Sequence, residues 1–207
     1  MLPAIFMKLF LASTFILSIS IALGQKIDSV DYVKEKYIIG FFPNKKPQIV
    51  YGLSIGPFSV PQKHIYNGLT FELIGVGLIG AFGAGFEDSI KRQFNKANGI
   101  ILSGTGGMMN ANGIYVGGFG LLAYKMNGIS ICLGYSDINF GNGLIMSGFN
   151  NCENVKGIQL GVFTDSENVK GIQIGMTNTT KKLRGIQIGI WNINEKRKFP
   201  IINWNFK

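Results

Sequence analysis

Few residues of this chain have the type and spacing that chemistry needs. His64 is the single histidine, set in Lys63-His64-Ile65, and no Ser, Cys or Asp constellation accompanies it. It reads as a loop residue and not as a general base. Glu72, Glu87, Asp88, Asp137 and Asp165 form no recognisable carboxylate pair, and no G-x-S-x-G, H-E-x-x-H or P-loop pattern is present. Catalysis is therefore not expected. Cys132 and Cys152 fall at different phases of the repeat described below, which permits one bridge without favouring it. Zinc takes about four ligands, and two Cys with one His make a weak set, so no metal is expected.

Gly75-Val76-Gly77-Leu78-Ile79-Gly80 spells the dinucleotide fingerprint G-x-G-x-x-G. That motif works by letting backbone approach a pyrophosphate at a helix N-terminus. Here glycines continue at Gly83 and Gly85, where the cofactor helix should run, and they weaken a helix. With 29 glycines in the chain, chance matches are expected. No cofactor is assigned.

Two sets of side chains remain as binding candidates. Gln159, Gln173 and Gln187 recur at a fixed interval and would form a polar ladder on an exposed face. The alternative role for such a ladder is sheet stabilisation by stacked amides. Lys181, Lys182, Arg184, Lys196, Arg197 and Lys198 make the C-terminal third basic within a chain of net charge +9. Such a cluster attracts anionic lipid, lipopolysaccharide phosphates or an acidic glycan, or it serves as a solvated turn that blocks edge aggregation. No stretch interleaves basic and aromatic residues as a nucleic-acid groove does, so nucleic acid is not an expected partner.

These side chains are positioned by a repeat. Lys156-Gly157-Ile158-Gln159-Leu160-Gly161 returns at Lys170 and, as Arg184-Gly185-Ile186-Gln187-Ile188-Gly189, at Arg184, spaced by 14 residues. Asn98-Gly99, Asn112-Gly113, Asn127-Gly128 and Asn142-Gly143 open earlier, degenerate units of 14 or 15 residues, with echoes at Gly68 and Gly52. After each glycine, apolar residues occupy the first and third places, a period of two that marks a half-buried strand. Val155, Val169 and Leu183, two places before glycine, add a further apolar contact. A short fixed period signals a repeat architecture.

The expected fold is all-β: a short-repeat β-solenoid of 14–15-residue coils, closed by an aromatic C-terminal cap built on Phe199, Trp204 and Phe206. An up-and-down meander or outer-membrane β-barrel is the alternative. The near-constant period favours the solenoid, because hairpin loops tolerate insertions more readily.

Four segments follow. Residues 1–24 read as a signal peptide: Lys8 precedes an apolar run, and Ala22-Leu23-Gly24 offers a cleavage site before Gln25. Residues 25–66 are an irregular lead-in with strands near Tyr37–Phe42 and Gln48–Ser54. Residues 67–198 carry the glycine-rich repeat, with Glu87 to Lys96 the one stretch of helical spacing, and residues 199–207 are the cap.

The phrase Gly-Ile-Gln-Ile-Gly-x-x-Asn, repeated and closed by Trp191 to Trp204, resembles a family of exported bacterial surface repeat-containing proteins. Asn178 and Asn192 match the asparagine of the motif, and Thr164 departs from it. The resemblance implies export to the outer membrane or cell surface, or to the periplasm or medium, and a repeat architecture. It implies no particular chemistry.

Overall fold

The glycine that opens each unit sets how closely the coils stack. At Gly171, φ is +145°, and a Cβ there would lie 1.9 Å from the carbonyl oxygen of Gly157 in the preceding coil. Only a residue without Cβ tolerates both that conformation and that approach. The unit therefore repeats in space because it repeats in sequence.

The computed structural model describes residues 35–60, 62–75 and 91–206. The expected signal peptide, residues 76–80 of the G-x-G-x-x-G match and residues 87–90 of the helical spacing lie outside the described residues; Asn95 and Lys96 open a strand. Apart from Lys91, which is helical, every regular element among the described residues is a strand. In order they are β1 (Glu35–Phe41), β2 (Gln48–Gly56), β3 (Ile65–Glu72), β4 (Asn95–Ser103), β5 (Gly106–Gly117), β6 (Gly120–Cys132), β7 (Tyr135–Met146), β8 (Phe149–Leu160), β9 (Phe163–Ile174), β10 (Thr177–Ile193) and β11 (Lys198–Asn205).

All eleven strands form one sheet in chain order. Pairing is parallel from β1 to β10, and only β10 with β11 is antiparallel. Gly52, Gly68, Gly99, Gly113, Gly128, Gly143, Gly157, Gly171 and Gly185 pair in one unbroken column. The chain is a β-solenoid. The barrel alternative is excluded because its neighbouring strands would be antiparallel and its two edges joined, whereas here β1 and β11 do not pair.

Irregularities in length are absorbed without loss of register. The additional residue of a 15-residue coil appears as a register shift between Met108 and Ala111. Residues 73–94 are inserted between β3 and β4, yet Gly68 still pairs with Gly99. The strands of the lead-in also join the ladder directly, since Gly52 of β2 pairs with Gly68.

The core contains a file of side chains from the positions two before and two after each glycine, joined by residues of the facing stretch such as Leu121, Ile138 and Cys152. In the early coils the two positions compensate in volume: Tyr66 with Thr70, Ala97 with Ile101, Ala111 with Tyr115, Met126 with Ser130, Gly141 with Ile145, all buried. At Gly141 a Cβ would come within 2.1 Å of the Ile145 Cδ1, so the larger partner occupies the space that the smaller one leaves. Close packing demands this.

The C-terminus closes on β11. Asn203 and Asn205 are its buried residues, while Phe199 and Trp204 lie on its outer side and remain about half exposed. The Arg197 guanidinium stacks 4.3 Å from the Trp204 ring centroid and donates to the Trp204 carbonyl at 2.9 Å. Cap contacts thus combine inward amides with an outward aromatic clasp.

Candidate functional site

The glutamine ladder exists, but it faces inward. Gln159, Gln173 and Gln187 are fully buried, which corrects the expectation of an exposed polar face. Gln173 Nε2 donates to Gln159 Oε1 at 2.8 Å, and Gln187 Nε2 to Gln173 Oε1 at 2.8 Å. Asn203 Nδ2 of β11 then donates to Gln187 Oε1 at 3.1 Å and terminates the column. Each amide also reaches a backbone carbonyl: Thr179 at 3.2 Å from Gln173 and Ile193 at 2.9 Å from Gln187. An isoleucine could not satisfy those carbonyls, and a buried unpaired acceptor costs about 1–3 kcal/mol. The glutamines are therefore structural donors and are out of reach of a surface ligand.

Because period-two alternation is strict, moving glutamine inward turns its neighbours outward. The first and third residues after each glycine form two outward columns of Leu, Ile, Val, Met and Phe along the solenoid. Ile100 (46%), Ile114 (41%), Ile158 (39%) and Ile188 (40%) show their exposure. Nine coils in eight steps of about 4.8 Å give a face about 38 Å long. Val162, Phe163, Met176 and Ile190 at the adjoining turns are exposed as well.

The position just before each glycine also faces outward. From Asn67 to Asn142 it is asparagine, and the side chains link in sequence: Asn98 Nδ2 donates to Asn67 Oδ1 at 2.8 Å, Asn112 to Asn98 at 2.7 Å, Asn127 to Asn112, and Asn142 to Asn127 at 2.7 Å. In the next three coils the same position becomes Lys156, Lys170 and Arg184, paired in register. These are exposed, and no ion pair within the described residues engages them. Two residues along a strand separate this basic row from the first apolar column, about 7 Å.

The six basic residues expected to form one cluster are all exposed, but three of them are spoken for. Lys181 is ion-paired with Glu167, which holds its ammonium above the usual lysine range. Arg197 Nε donates to Asn203 Oδ1 at 2.8 Å, and Lys196 Nζ to Asn205 Oδ1 at 2.9 Å, so both brace the cap. Lys182, Arg184 and Lys198 keep their charges outward. Only Arg184 belongs to the stacked row. Lys156 and Lys170 were missed as site residues, although the signal stood in the sequence as the first letter of each clean repeat.

Other reactive groups have structural partners. Glu72 is buried; desolvation pushes its carboxyl above the ordinary range, against the opposing effect of donors from Ser59 and Ser103. His64 lies in the loop before β3 but is buried there: its Nδ1 accepts from the Gln48 amide at 3.0 Å, and its Nε2 faces the Asn44 carbonyl and Gln62 Oε1. Cys132 and Cys152 are free and buried, each thiol pushed up to about 12 by desolvation. A buried thiol held protonated is a poor nucleophile. Lys91 and Asp137 make a buried ion pair at 2.8 Å that ties the 73–94 excursion to β7. Among the described residues no group of three or more His, Cys, Asp or Glu converges as a metal site.

Comparison with protein-family models, with curated proteins and with solved structures finds no match.

Proposed function

We propose that this chain is an exported, cell-surface-associated repeat protein that acts by binding, not catalysis, and that the surface it binds is an anionic lipid layer such as the outer membrane presents. One observation carries the reading: a two-column apolar face lies beside the unpaired row Lys156, Lys170 and Arg184. Exposed apolar area of this extent marks an interaction surface. The adjacent cations select the kind of surface, because anionic headgroups attract each nearby lysine or arginine by about 1 kcal/mol. The acidic side chains Asp165 and Glu167 stand on β9 five and three residues before Lys170, and Glu167 is engaged by Lys181. Export is supported by the leader-like residues 1–24 and by the resemblance to exported bacterial surface repeat proteins.

The test is flotation of the full chain with vesicles of phosphatidylglycerol, compared with phosphatidylcholine. Binding to the anionic vesicles, weakened by salt and by Lys156→Gln with Lys170→Gln, is the expected outcome. Equal recovery with both vesicle types, or none with either, rejects the reading. Concentration-dependent self-association that Ile158→Ser with Ile172→Ser abolishes would assign the apolar face to a second copy instead.

A further inference from the structure

A second recognition site lies where the outward asparagine column gives way to lysine. Tyr124, Lys125, Phe140, Asn142, Asn154 and Lys156 line a surface groove of about 330 Å³. Its shape follows from the sequence of three successive coils. The position three before glycine is Lys125, then Phe140, then Asn154, and the position one before glycine passes from Asn142 to Lys156. Long side chains thus stand as walls beside two short amides.

The walls are set in place. Tyr124 and Phe140 meet edge to face, with centroids 5.2 Å apart at 69°. The Arg92 guanidinium from the 73–94 excursion sits 4.8 Å from the Tyr124 centroid and braces that ring. Phe140 keeps 39% of its surface exposed, so part of the ring is open to a ligand. The amides are less committed than their neighbours. Asn142 donates to Asn127 at 2.7 Å, but the next residue in its column is lysine, so its oxygen receives no amide from the following coil. Asn154 Oδ1 accepts from Asn168 Nδ2 at 2.9 Å, whereas its amide hydrogen has only a long bond, 3.4 Å, to the Asn139 carbonyl. No carboxylate of the described residues pairs with Lys125 or Lys156.

We infer that this groove binds an anionic saccharide unit, carrying a carboxylate or a phosphate. An exposed aromatic ring packs against the C–H face of a pyranose, amide groups read its hydroxyls, and two unpaired ammoniums hold the anion. Neutral sugar leaves the lysines without a partner, and bare phosphate leaves the ring and the amides unused. The groove shares Lys156 with the basic row of the lipid-binding face, whereas Phe140 and Lys125 belong to neither the apolar columns nor that row, so variants at those two positions separate the groove from the lipid reading.

The experiment is titration of the isotopically labelled full chain, following the side-chain amide resonances of Asn142 and Asn154. Probes are oligogalacturonate, a phosphorylated mannose oligosaccharide, the neutral mannose oligosaccharide, inorganic phosphate and a pyrimidine nucleoside monophosphate. Saturable shifts with one or both anionic sugars, and with neither the neutral sugar nor phosphate, are expected; which anionic sugar binds tighter identifies the anion. Phe140→Ala and the surface change Lys125→Gln should each weaken that binding about tenfold while vesicle flotation is unchanged. Equal affinity for phosphate and anionic sugar, tighter binding of the nucleotide, no shift with any probe, or indifference to Lys125→Gln overturns the assignment. Lys125→Gln also keeps the test decisive should Phe140→Ala unfold the coil.

Discussion

The early and late coils fill one backbone frame in two different ways. From β3 to β7 each coil balances its own volume, a large residue on one side of the glycine against a small one on the other, as with Ala111 and Tyr115 or Gly141 and Ile145. From β8 to β10 the same two positions are nearly constant, Val or Leu with Gln, and satisfaction comes from the neighbouring coil through amide-to-amide bonds of 2.8 Å. Early coils solve packing within a turn and late coils between turns. The difference explains why the late repeats look so regular in sequence. A hydrogen-bonded column needs the same residue at every step, whereas a volume pair only needs its sum held.

Tyr115 shows that both solutions meet one requirement. Its hydroxyl accepts from the Gly107 amide at 2.6 Å and donates to the Gly120 carbonyl at 2.9 Å. It occupies the position that Gln159, Gln173 and Gln187 hold later. In each case a side chain reaches across the interior to a backbone group that would otherwise be buried unpaired.

The largest effect should come from breaking what the two regions share. Gly171→Ala puts a Cβ 1.9 Å from the Gly157 carbonyl at φ +145°, and a loss of about 4 kcal/mol or more is expected in urea unfolding. A change under about 1 kcal/mol would mean that the glycine column does not set the stacking distance.

Next in size is the contrast itself. Gln173→Leu removes the bonds to Gln159, Thr179 and Gln187 together, so about 3 kcal/mol is expected, mostly from groups left unpaired. Ile101→Val at the same position of an early coil should cost about 1 kcal/mol. Equal losses in a shared denaturation assay would erase the distinction between a bonded and a packed core.

The smallest effect sharpens the early half. Gly141→Ala should be destabilising because its Cβ meets the Ile145 Cδ1 at 2.1 Å. In an Ile145→Val background that atom is gone and the penalty should fall, giving a coupling of about 1 kcal/mol in a double-mutant cycle. Additive losses would show that the two positions do not share a volume.

Much of the fold was legible because its signals are local and periodic. The Asn-Gly, Lys-Gly and Arg-Gly pairs marked every coil from Gly99 onward, and the Gly52 and Gly68 echoes proved to be true members of the ladder. The candidate site was only half legible. Reading along the chain singled out Arg184 but missed Lys156 and Lys170, which reading down its column would have found, and it included Lys181, Lys196 and Arg197, which the fold ties to Glu167, Asn205 and Asn203. Residues close in sequence here point to different sides of a coil, while residues one coil apart are neighbours.

By itself the sequence determined the period, a glycine every 14 or 15 residues from Gly99 onward; that the coils pair in parallel, and not as the antiparallel strands of a barrel, was decided by the tertiary structure. Which face of each strand turns inward was also left to the tertiary structure. Hydrophobicity at Ile158 and Leu160 argued for burying the isoleucine face, yet Gln159 is the buried residue. The reason is that a narrow coil leaves backbone carbonyls to be satisfied across its interior. The glutamine amides supply those donors, and their own oxygens are satisfied by an amide of the following coil or of β11. That arrangement exists in the assembled solenoid and nowhere in an isolated repeat.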